Sequence, residues 1–143
     1  MKSDNIKLLK ECSLGINMAE EATSLLLPHV ESDELRRILE VSTHTHRVIG
    51  DDVNTMLDQL DSDEKEPPSI VKAMSRLKLS ASMLLCKSDA KIACLMTDGC
   101  HMGIKAISKS INRSRGADEP AVSLARRLIA AEEYLAARLR KFL

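Results

Sequence analysis

The stretch SDAKIACLMTDGCHMGIKAISKSIN, residues Ser88 to Asn112, decides the fold class. Its apolar and small residues recur at spacings of three and four, which is the period of one helix face. They are Ile92, Leu95, Met96, Gly99, Met102, Gly103 and Ala106. Asp98 and His101 stand three residues apart near the middle, so a helix places them on one side. The stretch predicts a long amphipathic helix with a polar pair at its centre.

The composition of the whole chain agrees with an all-α protein. The 143 residues are 44% hydrophobic and 29% charged, which is enough to bury the core of one domain, residues 1–143. The only aromatic residues are Tyr134 and Phe142, and Trp is absent. Leu, Ile, Met and Ala are plentiful, as is typical of packed helices rather than of sheets.

Charge and cysteine usage indicate which environments and partners to expect. Lys plus Arg and Asp plus Glu number 21 each, so no net charge favours nucleic acid or an anionic membrane. No apolar run reaches the length of a membrane span. The four cysteines contain no C-x-x-C pair and stand among apolar helical residues, which predicts free buried thiols. They are Cys12, Cys86, Cys94 and Cys100. We therefore expect a reduced, cytoplasmic protein without nucleic-acid or membrane partners.

Start and stop signals divide the chain into four main helices and one short helix. The first begins at Ser3 or Asp4 and stops at Pro28, and the second is capped by Ser32 or Asp33. The other predicted helices are the short one at Ser69–Cys86, the central one capped by Ser88 or Asp89, and the last at Asp118–Leu143. This order predicts an antiparallel four-helix bundle with a short crossover helix between the second and third main helices.

Polar residues interrupt the predicted core faces at similar depth. Ser42, Thr45 and His46 break the apolar stripe of the second helix. Glu20 lies at the edge of the first stripe, and Glu132 lies inside the last. Counted at 1.5 Å per residue, these carboxylates and Asp98 fall near one layer, roughly 15 Å from one end. The sequence therefore predicts that three carboxylates converge within the bundle.

The predicted helix lengths and the crossover resemble the ferritin-like superfamily. The segments that carry the resemblance are DELRRILE (33–40), PPSIVKAMSRLKLSASMLLCKSDA (67–90) and AEEYLAARLRKFL (131–143). They look like a branch of uncharacterised bacterial four-helix-bundle proteins that has a short amphipathic helix between its two helix pairs. The resemblance implies a ferritin-like bundle over nearly the whole chain.

Di-iron members of that superfamily carry a Glu on each of two helices and Glu-x-x-His on each of the other two. Position by position, Glu20, Asp98 and Glu132 match the first, third and fourth carboxylates. His101 adds an imidazole where the family needs none. The resemblance therefore implies, as one alternative, a remodelled site for iron or manganese that uses these four residues.

The di-iron pattern is nevertheless broken at three places. Ser42 and Thr45 stand where the second helix should supply Glu and His, and Leu135 replaces the last histidine. Two metals need bridging carboxylates and imidazoles. We therefore expect no complete di-iron oxidase and assign no catalytic residues. The main hypothesis is a non-catalytic protein without a cofactor, either stress-related or a binding or scaffold module, that dimerises through a helix pair.

A second alternative comes from histidine phosphotransfer modules, which are also four-helix bundles. They carry an exposed helical His followed by Lys and Gly at three and four positions on. His46 is followed by Ile49 and Gly50, so the pattern is present without its Lys. The position of the His46 ring discriminates between the two hypotheses. A ring exposed beside Arg47 favours phosphotransfer, and a ring buried against Glu20 favours a structural role.

Overall fold

The computed structural model describes residues 2–60 and 88–143, and four long helices account for most of them. These helices are α1 (Lys2–Leu26), α2 (Asp33–Gln59), α3 (Asp89–Arg113) and α4 (Glu119–Leu139). Short 3-10 turns follow α1 at Leu27–His29 and α4 at Arg140–Phe142. Within the described ranges there is no strand, so the all-α prediction is confirmed. The predicted crossover helix at Ser69–Cys86 lies outside the described residues.

Side-chain caps begin two of the helices, as their sequences predict. The Ser32 hydroxyl accepts the N–H of Leu35 at 3.2 Å, and the Ser88 hydroxyl accepts that of Lys91 at 3.1 Å. Each bond satisfies an N–H that the first helical turn leaves without a partner. Asp118 precedes α4 without capping it, because its carboxylate instead accepts the Asn5 amide at 2.9 Å.

Two sets of hydrogen bonds join segments that are distant in sequence. Asp89, at the start of α3, accepts the N–H groups of Glu31 and Ser32, each at 2.9 Å. The starts of α2 and α3 therefore lie side by side. Near the beginning of α1, the side chain of Asn5 also accepts the N–H of Asp118 at 2.8 Å. This bond holds the beginning of α1 against the connection between α3 and α4.

The four helices pack around two apolar clusters. α1 and α4 each pack against both α2 and α3. One cluster contains Leu26, Val30, Leu35, Ile38, Leu39, Ile92, Ala93, Met96, Cys100, Leu135, Ala136 and Leu139. The other contains Leu8, Leu9, Cys12, Ile16, Ile49, Val53, Leu57, Ile107, Ala121, Leu124, Ala125 and Leu128. On every helix a short gap in sequence separates the two sets. None of the described helices has the length and apolar character needed to cross a bilayer.

The core-facing sides of α2 and α3 differ in part from the predicted stripes. On α3 the buried residues are Ile92, Ala93, Met96, Cys100 and Ile107. Met102 was predicted to be in the stripe but is 55% exposed, and Gly99 is exposed as well. On α2, Thr45 is exposed and bonds the Val41 carbonyl at 3.1 Å. Each residue turns a helix by about 100°, so residues at the border of a stripe can face either way.

Leu128 tests the packing of α4 because its side chain is only 2% exposed in the second cluster. We expect Leu128→Asp to lower the free energy of unfolding by several kcal/mol, since an unpaired carboxylate is costly in an apolar site and total stability is only about 5–15 kcal/mol. Urea unfolding followed by circular dichroism measures the effect. Ser123→Asp, on the exposed face of the same helix, is the control and should change stability little. Equal midpoints for both variants would contradict this packing.

Candidate functional site

A buried ion pair between α2 and α4 lies at the level between the two clusters. The His46 and Glu132 residues are 3% and 7% exposed. His46 Nε2 contacts Glu132 Oε1 directly. These positions are 86 residues apart in the chain. Both residues occupy the core face of their helices, so helix packing rather than local sequence brings them together.

The hydrogen bonds of the imidazole determine where its protons lie. His46 Nδ1 is 2.8 Å from the Ser42 carbonyl oxygen and 3.3 Å from the Ser42 hydroxyl. A carbonyl only accepts hydrogen bonds, so Nδ1 carries a proton and donates it. Nε2 would then be a bare acceptor facing a carboxylate. The contact is favourable only if a second proton lies between Nε2 and Oε1, so the pair holds one proton more than a neutral histidine beside an ionised glutamate.

Electrostatics favour the protonated imidazole. Burial on its own lowers the pKa of His46, but the hydrogen bond to Glu132 and the charge of that carboxylate oppose this effect. The Ser42 carbonyl and the charge of Glu20 act in the same direction as Glu132. The net result is a pKa raised above the ordinary value of 6.5. The direction of this shift agrees with the second proton that the contact between Nε2 and Oε1 requires.

Cys100 on α3 lies beside this pair as a protonated thiol. Burial raises the pKa of the Cys100 thiol, and the charge and hydrogen bonding of Glu132 raise it further. Cys12 behaves similarly, since burial and then the charge of Glu11 raise its pKa to about 12. Thiolates are the nucleophilic form of cysteine. These two buried cysteines are thus poor nucleophiles. They are free thiols, as predicted, but Cys94 is exposed rather than buried, and Cys86 lies outside the described residues.

A cavity of about 300 Å³ lies between α1 and α3 and reaches the buried pair. Its walls are mainly apolar or small: Leu14, Gly15, Met18, Ala19, Ala22, Leu95, Met96, Gly99, Met102, Gly103, Ala106, Ile107, Leu128 and Leu135. His46, Glu132, Ser42 and Cys100 also line it. Because the lining includes the exposed residues Gly99 and Met102, the cavity is open to the surface.

Two glycines on α3 line this space. A Cβ atom added at Gly99 would meet nothing within 4 Å. A Cβ at Gly103 would lie 3.4 Å from Glu132 Oε2, at the short limit of ordinary van der Waals contact. Gly103 therefore lets α3 pass close to the buried carboxylate, and Gly99 leaves empty volume beside the cavity.

The four residues predicted to form a metal site occupy different environments. Glu132 is buried against His46. Glu20 is partly exposed and its Oε1 accepts Arg47 Nη2 at 2.9 Å. Asp98 is exposed, but with Glu20 and Glu132 it lines the cavity. His101 is exposed and is not part of the cavity wall. The three carboxylates thus border one space, and His101 lies apart from it.

The described side chains do not fit a di-iron centre. Over residues 2–60 and 88–143, no three or more His, Cys, Asp or Glu side chains are grouped so that they could hold a metal ion. Both ring nitrogens of His46 are already hydrogen-bonded, one of them to Glu132. The metal site therefore stays a prediction. The described structure does not group its four proposed ligands, Glu20, Asp98, His101 and Glu132.

The sequence indicated the polar layer but not the partner of Glu132. His46 was considered with Glu20, whereas the structure buries its ring against Glu132 and pairs Glu20 with Arg47. The available signal was the four-residue spacing of Ser42 and His46, which continues into Ile49 and Val53 on one face. Because the ring is buried, the accessibility that a phosphotransfer histidine needs is absent.

The shared proton predicts a specific pH dependence. The pKa of His46 is raised in the folded protein, so the stabilisation is complete below the unfolded value of 6.5 and is lost as pH rises through the folded pKa. In Glu132→Gln the amide can donate to an unprotonated Nε2, and this dependence should disappear. Urea unfolding between about pH 5 and 9 measures the slopes. His44→Gln, at an exposed position of α2, should keep the wild-type slope. Parallel wild-type and Glu132→Gln profiles would exclude a shared proton.

Elemental analysis tests the metal hypothesis directly. Protein purified without chelators or an affinity metal should contain far less than one equivalent of iron, manganese or zinc, because the described residues offer no grouped ligands. Chelator should leave the melting temperature unchanged, since a metal that binds only the native state would raise it. A stoichiometric metal that is lost in both Glu20→Gln and Glu132→Gln would reverse this interpretation.

Comparisons with known proteins do not assign the site. No protein-family model, curated protein or solved structure matches the chain. The function is therefore argued from three features of the chain itself: the buried pair, the cavity that reaches it and the charges around that cavity.

Proposed function

We propose that this protein is a non-catalytic binding module that holds a small, mainly apolar molecule in the cavity between α1 and α3. The observation that carries the proposal is a cavity of about 300 Å³ that is open at the surface and walled by apolar and small side chains. Small-molecule sites in proteins are mostly apolar clefts of about 300–1,000 Å³ with a few polar groups. The cavity lies at the lower end of that range, so its ligand is small.

The driving force is the removal of water from apolar walls. Leu14, Met18 and Leu95 line the cavity together with Met96, Met102 and Leu128. Water in such a space makes few hydrogen bonds, and an apolar ligand that displaces it gains roughly 25 cal/mol per Å² of apolar surface buried. Three methionines in the lining favour adaptable packing, because thioether side chains change rotamer at little cost.

The polar groups at the cavity wall support binding rather than catalysis. A general base needs a free lone pair within reach of the substrate. His46 has none, since Nδ1 donates to Ser42 and Nε2 faces Glu132. Cys100 is held as the thiol by burial and by Glu132, so it is a poor nucleophile. The pair thus supplies a fixed polar wall, and neither ring nitrogen of His46 is free to accept a proton from a ligand.

The proposal includes the ferritin-like, antiparallel arrangement of the helices. It is supported by the bonds of Asp89 to Glu31 and Ser32, which place the starts of α2 and α3 together. It is also supported by Asn5 and Asp118, which place the start of α1 beside the start of α4. In such a bundle, ligand sites lie between facing helices near the middle, where this cavity lies.

Substitutions at Gly99 test whether the cavity binds a ligand. Gly99→Ala adds a methyl group into open space and should stabilise the protein by about 0.5–1 kcal/mol while keeping binding, because alanine favours helix more than glycine. Gly99→Phe should place a ring at the cavity and weaken binding at least tenfold. The probe is n-decanol, and its binding is measured by NMR chemical-shift changes of α1 and α3 amides.

The two substitutions control for each other because they change the same backbone position. Circular dichroism and thermal melting verify that both variants keep the fold. Decanol shifts in Gly99→Phe equal to those in Gly99→Ala would place binding elsewhere. Absence of decanol, decyltrimethylammonium and decanoate binding in the wild type would overturn the proposed function.

A further inference from the structure

Among the residues that the structure describes, the charged side chains that line the cavity are all acidic, apart from the paired His46. Its described lining includes the carboxylates of Glu11, Glu20, Asp98 and Glu132. No Lys or Arg is among the lining residues that the structure describes. Since the whole chain has equal numbers of basic and acidic residues, this local excess is a property of the cavity and not of the composition.

Two of these carboxylates are already neutralised. Glu132 pairs with His46 at the inner wall, and Glu20 pairs with Arg47 at 2.9 Å near the surface. Glu11 and Asp98 make no hydrogen bond or salt bridge with another described residue. Glu11 is partly exposed and Asp98 is exposed, so both lie toward solvent from the buried pair. Among the described residues, the outer part of the cavity therefore carries negative charge that no described cation balances, beside an apolar interior.

We propose that the ligand of this cavity is a small amphipathic organic cation, namely an apolar body that carries one ammonium group. This inference rests on the proposed function and names its ligand class. The apolar body contacts the leucine and methionine walls, and the ammonium lies toward solvent in the negative field of Glu11 and Asp98. A carboxylate head group would be repelled by the negative charge of Glu11 and Asp98, and a neutral head group would gain no charge attraction from these residues.

The placement of the charges favours an organic cation over a bare metal ion. Metal ions need several donor atoms around one point, and the described residues contain no such group. An ammonium group on an apolar chain needs only nearby negative charge and can keep part of its water. Glu11 lies on α1 and Asp98 on α3, so the two carboxylates approach the cavity from its two bordering helices.

Three probes with the same ten-carbon chain separate charge from apolar affinity. They are decyltrimethylammonium, decanol and decanoate, each used below the concentration at which it forms micelles. NMR titration of the wild type at low ionic strength should show the ammonium binding at least tenfold tighter than decanol, and decanoate binding weakest. Added salt should reduce the difference in affinity between the ammonium and decanol, because the screening length for exposed charges is about 10 Å at 0.1 M salt.

Asparagine and glutamine variants locate the charge effect. Asp98→Asn and Glu11→Gln should each reduce the affinity for decyltrimethylammonium at least threefold and leave that for decanol unchanged. Glu133→Gln is the matched control, because Glu133 is exposed on α4 and is not in the cavity wall. It should leave both affinities at wild-type values. Two variants on different helices keep the test valid if one of them fails to fold.

The outcomes separate this inference from the proposed function. If decanol binds but the ammonium binds no tighter, the cavity takes neutral ligands and the inference is overturned while the proposed function stands. An ammonium preference that survives both Asp98→Asn and Glu11→Gln would also overturn it, because the charge would then act elsewhere. If none of the three probes binds, the proposed function itself fails.

Discussion

The contact between His46 and Glu132 is the constraint on which the middle of this protein depends. It joins α2 to α4 across the core, at the level where one apolar cluster ends and the next begins. Buried ion pairs often add little net stability, because desolvation offsets their attraction. Losing one partner is nevertheless costly, since it leaves an uncompensated charge inside the protein. The pair therefore favours the one helix alignment in which both groups meet.

The cavity lies beside this pair, and both of its residues line it. The carboxylate of Glu132 occupies space beside α3, and Gly103 is the residue that allows the close approach. One turn earlier, a Cβ atom added at the exposed Gly99 would meet nothing within 4 Å. Each glycine within a helix costs about 1 kcal/mol relative to alanine. Two of them in the middle of α3 are therefore a local loss of stability beside the cavity.

Sequence alone determined the features that depend on neighbours along the chain. Ser32 and Ser88 cap their helices as predicted because a cap needs only a hydroxyl three residues before an N–H. α1 ends just before Pro28, whose ring fits the first turn of a 3-10 helix but not a helix interior. The alternation of apolar and polar residues likewise sufficed for an all-α fold with polar positions at mid-helix.

Tertiary structure alone decided which polar groups meet. The expected set combined Glu20, Asp98 and Glu132 with His101, yet Glu132 lies against His46, and His101 faces outward. If α3 were rotated by one residue, about 100°, His101 would face the core in place of Cys100, and the periodicity of the sequence would be the same. The choice is made by the packing of all four helices together, because only that packing brings residues 86 positions apart into contact.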